Sequence, residues 1–142
     1  MPTSGSGPQL LADTSVAVAL VVADHSHHTT TVDAIGGRVV GLAGHAIFET
    51  YSVLTRLPAP LRRTPRAVSR LLTANFSGSY FLTAESSAAL IARLAELGMG
   101  GGSVYDALVG RAAAEHGITL ATRDRRALEV YRAIEVDVEV LP

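Results

Sequence analysis

Residues 9–22 run Gln9-Leu10-Leu11-Ala12-Asp13-Thr14-Ser15-Val16-Ala17-Val18-Ala19-Leu20-Val21-Val22. Positions 9–12 read as a short apolar strand that stops at Asp13. Positions 14–22 then read as a helix with apolar residues nearly all round, the pattern of a helix buried on every side. The same handover recurs along the chain. A more polar helix is expected over 24–35, ended by Gly36-Gly37, and a β-branched strand over 38–42. A helix over 45–57 is broken by Pro58 and Pro60, and Pro65 opens another that continues over 66–74. A short strand over 79–82 leads to Thr83, which caps a periodic helix reaching residue 97 and closed by Gly98. After the flexible glycines 100–102 come a helix over 103–116 stopped by Gly117, a strand over 118–121 and a helix over 124–134. In the tail, Val136, Val138 and Val140 alternate with Glu135, Asp137 and Glu139, which marks an edge strand with one wet, acidic face. Alternating strands and helices predict an α/β fold with a mainly parallel central sheet flanked by helices on both faces. Residues 1–8, MPTSGSGP, read as a disordered lead-in, and 9–142 as a single domain.

The composition removes several kinds of chemistry. Among 142 residues there is no cysteine, so disulfides, thiol nucleophiles and thiolate metal sites are excluded. All 12 basic residues are arginine, which excludes the lysine of a phosphate-binding P-loop and the amine of a Schiff-base enzyme. The apolar run 16–23 has no basic residue before it and is too short to span a bilayer, so the chain reads as a cytoplasmic protein with no membrane partner. Thirteen acidic residues leave a net charge of −1, yet the charge is uneven. Between Glu49 and Glu85 lie Arg56, Arg62, Arg63, Arg66 and Arg70 and no acid, a basic stripe suited to phosphate or to an acidic partner.

In parallel α/β sheets ligands sit beyond the carboxyl ends of the strands. Asp13 directly follows the first strand, and Asp124 follows the strand over 118–121 after Thr122 and Arg123. Glu49 lies one turn into the helix after the second strand, and Asp106 in the first turn of the helix opened by Ser103. Four carboxylates are thus expected at one sheet edge, where their repulsion calls for a neutralising cation. Oxygen ligands alone suit Mg²⁺ or Mn²⁺. Each acid also has a structural use: Asp13 and Asp124 as helix caps, Asp106 in a variant capping box with Ser103, and Glu49 as a helix glutamate. Ile47, Phe48 and Val53 around Glu49 indicate a helix that is mostly buried.

The segments Leu11-Ala12-Asp13-Thr14-Ser15, Ala46-Ile47-Phe48-Glu49-Thr50, Val104-Tyr105-Asp106-Ala107-Leu108 and Leu120-Ala121-Thr122-Arg123-Asp124 together resemble the PIN-domain nucleases. Within them the chain is similar to the VapC toxins of bacterial toxin–antitoxin pairs, in order and from about residue 9 to 142. The resemblance implies a metal-dependent endoribonuclease, using Mg²⁺ or Mn²⁺, that leaves 5′-phosphate and 3′-hydroxyl ends. Asp13, Glu49, Asp106 and Asp124 match its acidic quartet, with Asp13 and Asp106 as the surest metal ligands. Ser15 and Thr122 match small hydroxyl residues that hold carboxylates or water in place. The implied partners are an RNA substrate, a VapB-type antitoxin and a second copy in a homodimer. Arg62, Arg63, Arg66 and Arg70 would face RNA or antitoxin, and Arg123, beside Asp124, substrate phosphate.

Other features carry less. Residues 24–28, Asp24-His25-Ser26-His27-His28, read as a surface cluster at a polar helix start. His45, four residues before Glu49, marks a helix start and shares its face. The glycines 98–102 follow a helix instead of a strand and fail as a dinucleotide loop. Two other functions compete: a non-catalytic module of the same fold that binds RNA or protein, and a phosphatase, which the lack of a second Asp after Asp13-Thr14 disfavours.

Overall fold

The computed structural model describes residues 7–142; the lead-in expected over 1–8 falls mostly outside them. Five strands, β1 (Leu10–Ala12), β2 (Val40–Ala43), β3 (Ser79–Tyr80), β4 (Thr119–Thr122) and β5 (Val138–Val140), form one sheet in the order β3-β2-β1-β4-β5. Every pairing is parallel, with Leu10 opposite both Val40 and Thr119 and Leu120 opposite Val138. Chain order runs outward from β1 to β3 in one direction and from β4 to β5 in the other. The switch point therefore lies between β1 and β4, the crevice where open parallel sheets bind ligands.

The helices are α1 (Thr14–Val21), α2 (His28–Ile35), α3 (Ala46–Thr55), α4 (Pro65–Asn75), α5 (Ala84–Leu97), α6 (Ser103–Glu115) and α7 (Leu128–Ala133). Strand residues alternate between two cores. Leu10, Ala12 and Leu42 pack with Val16, Val21, Leu54, Val68 and Leu72 of α1, α3 and α4. Leu11, Ala43 and Leu120 pack on the other face with Leu90, Leu94, Val109 and Tyr131 of α5, α6 and α7. A sheet covered on both faces explains why β1 is buried at every residue and reads as an unbroken apolar run.

Several sequence-based boundaries move, each for a local reason. The helix expected from residue 24 begins at His28, because residues 24–27 turn instead: His25 donates to the Val22 carbonyl and the His27 amide to the His25 ring. The strand expected over 38–42 is Val40–Ala43. Arg38 serves the end of α2, its guanidinium donating to the Ala34 and Ile35 carbonyls. The same group makes a bidentate ion pair with Glu139 at 2.8 Å, so the tail's acidic face is partly neutralised. The helix expected over 124–134 is a 3₁₀ turn, Arg125–Ala127, followed by α7, since the Asp124 carboxylate accepts the Arg126 amide and tightens the start. Among the described residues, no helix is long and apolar enough to cross a membrane.

Candidate active site

Asp13 is where β1 ends and α1 begins. It caps α1, its Oδ1 accepting the Val16 amide at 3.1 Å, and its own amide donates to the Ala121 carbonyl of β4. The structural reading of this residue, a cap for α1, is met. The Ser15 hydroxyl donates to the same Oδ1 at 2.5 Å, and the Tyr131 hydroxyl to Oδ2 at 3.0 Å. Asp13 is only 4% exposed. Burial pushes its carboxyl above the usual range despite opposing hydrogen bonds from Ser15, Thr122, Val16 and Tyr131. Tyr131, buried and facing Asp13, has its phenol pushed far up by burial and by the neighbouring carboxylates. It is a fixed neutral donor.

Hydroxyls tie this acid to Asp124. Ser15 Oγ also accepts the Arg123 amide at 2.8 Å, and Thr122 Oγ1 accepts the Asp124 amide at 3.0 Å. Both residues sit where the sequence placed them, each joining one acid to the segment bearing the other. The Asp124 carboxylate caps the 3₁₀ turn and contacts Arg126 Nε at 3.4 Å.

Glu49 and Asp106 arrive on the first turns of α3 and α6. The Thr14 hydroxyl donates to Glu49 Oε1 at 3.1 Å. The capping-box role for Asp106 is not realised: Gly102 is the N-cap of α6 and no side chain caps it. Asp106 is instead a half-buried carboxyl pushed up to about 6, first by burial and then by Asp124, Glu49 and Asp13, with Arg126 opposing. Three remote acids thus act on one, and the quartet shares a single electrostatic site. The α3 expectation needs a correction. Its buried residues are Ala46, Thr50 and Leu54, whereas Phe48 is 61% exposed. His45 precedes α3, where it is the N-cap residue, and its ring stacks on Tyr105.

The donor set suits a hard cation: four carboxylates, hydroxyls and no thiol. Burial first, and then repulsion from Asp124, Glu49 and Asp13, lift Asp106, and a divalent cation would relieve the repulsion. Among the described residues no three acidic or imidazole groups converge closely enough to hold a metal ion. Arg123 Nε donates to the Pro142 carbonyl, and Arg62 Nε to the Leu57 carbonyl. Arg62, Arg63, Arg66 and Arg70 are exposed, and none forms a salt bridge among the described residues.

Two residues of this site escaped the sequence reading. Tyr131, between apolar neighbours in α7, has the signature of a core aromatic, and only its hydroxyl distinguishes it. Gly110, inside α6, carried a signal. A Cβ there would lie 2.6 Å from Ile134 Cδ1 and 2.9 Å from Tyr131 Cδ1, so the glycine admits the ring that reaches Asp13.

Comparisons with known proteins agree with this architecture. A family model described as PIN domain matches residues 10–133. The chain is 48% identical over 133 residues to Ribonuclease VapC27 of Mycobacterium tuberculosis, covering 94% of this chain and 97% of that protein. It is 47% identical over 130 residues to Ribonuclease VapC40 of the same species, covering 91% and 96%. Among solved structures, that of Mycobacterium tuberculosis VapC20, described as a sarcin-ricin loop cleaving toxin, matches with a TM-score of 0.66 at 23% identity, covering 94% and 99%. The structure of VapBC2 from Rickettsia felis bound to a promoter DNA fragment matches with a TM-score of 0.64 at 11% identity, covering 92% and 97%. The likeness to these two structures is one of fold.

Proposed function

Since the chain belongs to the PIN-domain family, and within it to the VapC ribonucleases, we propose that it is a metal-dependent endoribonuclease and the toxin of a toxin–antitoxin pair. The observation that carries the reading is geometric: Asp13 and Asp124 follow the ends of β1 and β4, linked through the Ser15 and Thr122 hydroxyls, and Glu49 and Asp106 lie on the first turns of α3 and α6. Asp13 and Asp106 are the principal ligands for Mg²⁺ or Mn²⁺, and Glu49 and Asp124 complete the acidic set. When bound, the ion acidifies a water and stabilises charge developing on the leaving oxygen of the phosphodiester.

The chain's own residues do the positioning. Tyr131 and Ser15 fix both oxygens of Asp13, so its orientation is set before substrate arrives. Thr122 and Ser15 hold the Asp124 segment to the same frame. Thr14 steers Glu49. The exposed Arg62, Arg63, Arg66 and Arg70 are a surface for RNA phosphates or for an acidic segment of a VapB-type antitoxin. Arg123 Nε donates to the Pro142 carbonyl, and the rest of its guanidinium is a further group for substrate phosphate. A homodimer acting in the cytoplasm is part of the same reading, and Ile91, 66% exposed on α5, is a large apolar side chain that a second copy would cover.

One observation favours the alternative, a non-catalytic PIN-like module that binds RNA or protein: the acids do not already converge on one point. Cleavage of total bacterial RNA by purified, antitoxin-free protein in Mg²⁺, Mn²⁺ or EDTA, beside Asp13→Asn, separates the two. Discrete fragments that vanish in EDTA and in the variant are expected. Intact RNA in every metal, with RNA binding retained, would favour the module.

A further inference from the structure

Beside the acidic site lies an aromatic surface that the hydrolytic chemistry does not use. The His45 and Tyr105 rings stack with centroids 5.3 Å apart and planes 24° from parallel. Phe48 continues the surface 6.2 Å from His45, and Phe81 lies 6.0 Å beyond Phe48. Tyr105 is 51% exposed and Phe81 46%. Large aromatics left in water contribute little to folding, and grouped exposure of this kind marks a contact surface.

The position of the surface says what it contacts. Tyr105 immediately precedes Asp106, Phe48 immediately precedes Glu49, and His45 lies one helical turn before Glu49. A cleft of about 340 Å³ brings His45 and Phe48 of the aromatic surface beside Glu49, with Thr14 and Arg56 also in its lining. Arg56 is exposed and forms no salt bridge among the described residues, so one cation stands beside an aromatic wall and a carboxylate. A phosphodiester presented to the acids has to pass along this cleft. A nucleobase adjoining that phosphodiester arrives with it and leaves with it.

Building on the ribonuclease reading, we propose that His45 and Tyr105, extended by Phe48, form a stacking platform for an unpaired nucleobase next to the scissile phosphate, with Arg56 taking a backbone phosphate. Aromatic rings stack on any base that is out of a duplex, so the platform selects single-stranded loops over paired RNA. Selection among loops falls to the bases this ledge accepts.

The test uses the full chain in EDTA, where RNA stays intact. The probe is a single-stranded oligoribonucleotide of mixed sequence carrying a fluorescent base analogue at one position at a time, beside the same sequence closed in a duplex. Wild type should quench the analogue at one or two adjacent positions of the single strand and not in the duplex. Tyr105→Leu and His45→Leu should lose the quenching and bind about 10- to 100-fold more weakly, while Tyr105→Phe keeps both. In Mn²⁺ the Leu variants should raise KM more than they lower kcat. Wild-type affinity and quenching in both Leu variants overturn the platform. So does a change from dimer to monomer with RNA binding unaltered, which would make this a face between copies. If wild type cleaves RNA and the variants match it in KM and kcat, the platform alone falls. A wild type that neither binds nor cleaves RNA removes the ribonuclease reading as well.

Discussion

The acidic edge has two halves built to different standards. At the ends of β1 and β4, Asp13 is enclosed, its two oxygens held by Ser15, Val16 and Tyr131, and hydroxyls link it to the Asp124 segment. On the first turns of α3 and α6, Glu49 has one side-chain donor, Thr14, and Asp106 is raised first by burial and then by its acidic neighbours. The first half is fixed by hydrogen bonds on both oxygens of Asp13, and the second has fewer such bonds. In the metal-dependent reading proposed above, the first half would be the anchor and the second the arms, and the anchor should carry the greater share of function.

Substitution of both acids gives the sharpest contrast. Asn at position 13 retains a good N-cap for α1, so Asp13→Asn should fold and lose cleavage by about 10³-fold or more, given the several kcal/mol that a metal supplies to the transition state. Glu49→Gln should lose about 10-fold, because a less constrained carboxylate contributes less preorganisation. Initial rates on one RNA fragment measure both. Equal losses at the two positions would erase the distinction between anchor and arm.

The anchor can also be disturbed from behind. Gly110→Ala places a methyl against Ile134 and Tyr131 and should cost about 1–3 kcal/mol by overpacking, read from the urea midpoint. Activity should fall with it as the Tyr131 hydroxyl is pushed off Asp13. Tyr131→Phe tests that hydroxyl alone. The ring still fills its place, but Asp13 Oδ2 loses its donor, at a cost of about 1–3 kcal/mol. Full stability in Tyr131→Phe would mean that water replaces the hydroxyl without loss.

How much of this could be read from sequence follows the same division. The four acids were legible because alternating strands and helices imply a parallel sheet, and such sheets expose their sites at strand ends. Ser15 and Thr122 were legible only through the resemblance to the PIN-domain nucleases, as the hydroxyl residues beside the first and last acids. Tyr131 was not, since a buried aromatic in α7 has the same pattern whether or not its hydroxyl meets a carboxylate. Phe48 was misread because α3 has apolar residues on more than one side, and only the packing of Ala46, Thr50 and Leu54 shows which side is inward. Arg38 looked like the first residue of a strand, because nothing local reveals that its guanidinium caps α2 and reaches Glu139.

The smallest expected effect bears on the arms. Asp106 has its carboxyl raised to about 6 in the folded protein, above its value in the unfolded chain. Between about pH 4 and pH 6 the native state therefore binds more protons than the unfolded state, and this group's contribution to stability falls as pH rises through that window. Asp106→Asn removes the titration. In EDTA at neutral pH the variant should melt about 2–4 °C above wild type, an amount kept small because the group is only half buried and solvent screens it. The gain should vanish by about pH 4, where both side chains are neutral. Saturating Mn²⁺ should shrink or reverse it, since the cation stabilises only the carboxylate. A variant no more stable than wild type at neutral pH would show that neither burial nor the carboxylates of Asp124, Glu49 and Asp13 penalise the charged form of Asp106 in the folded protein.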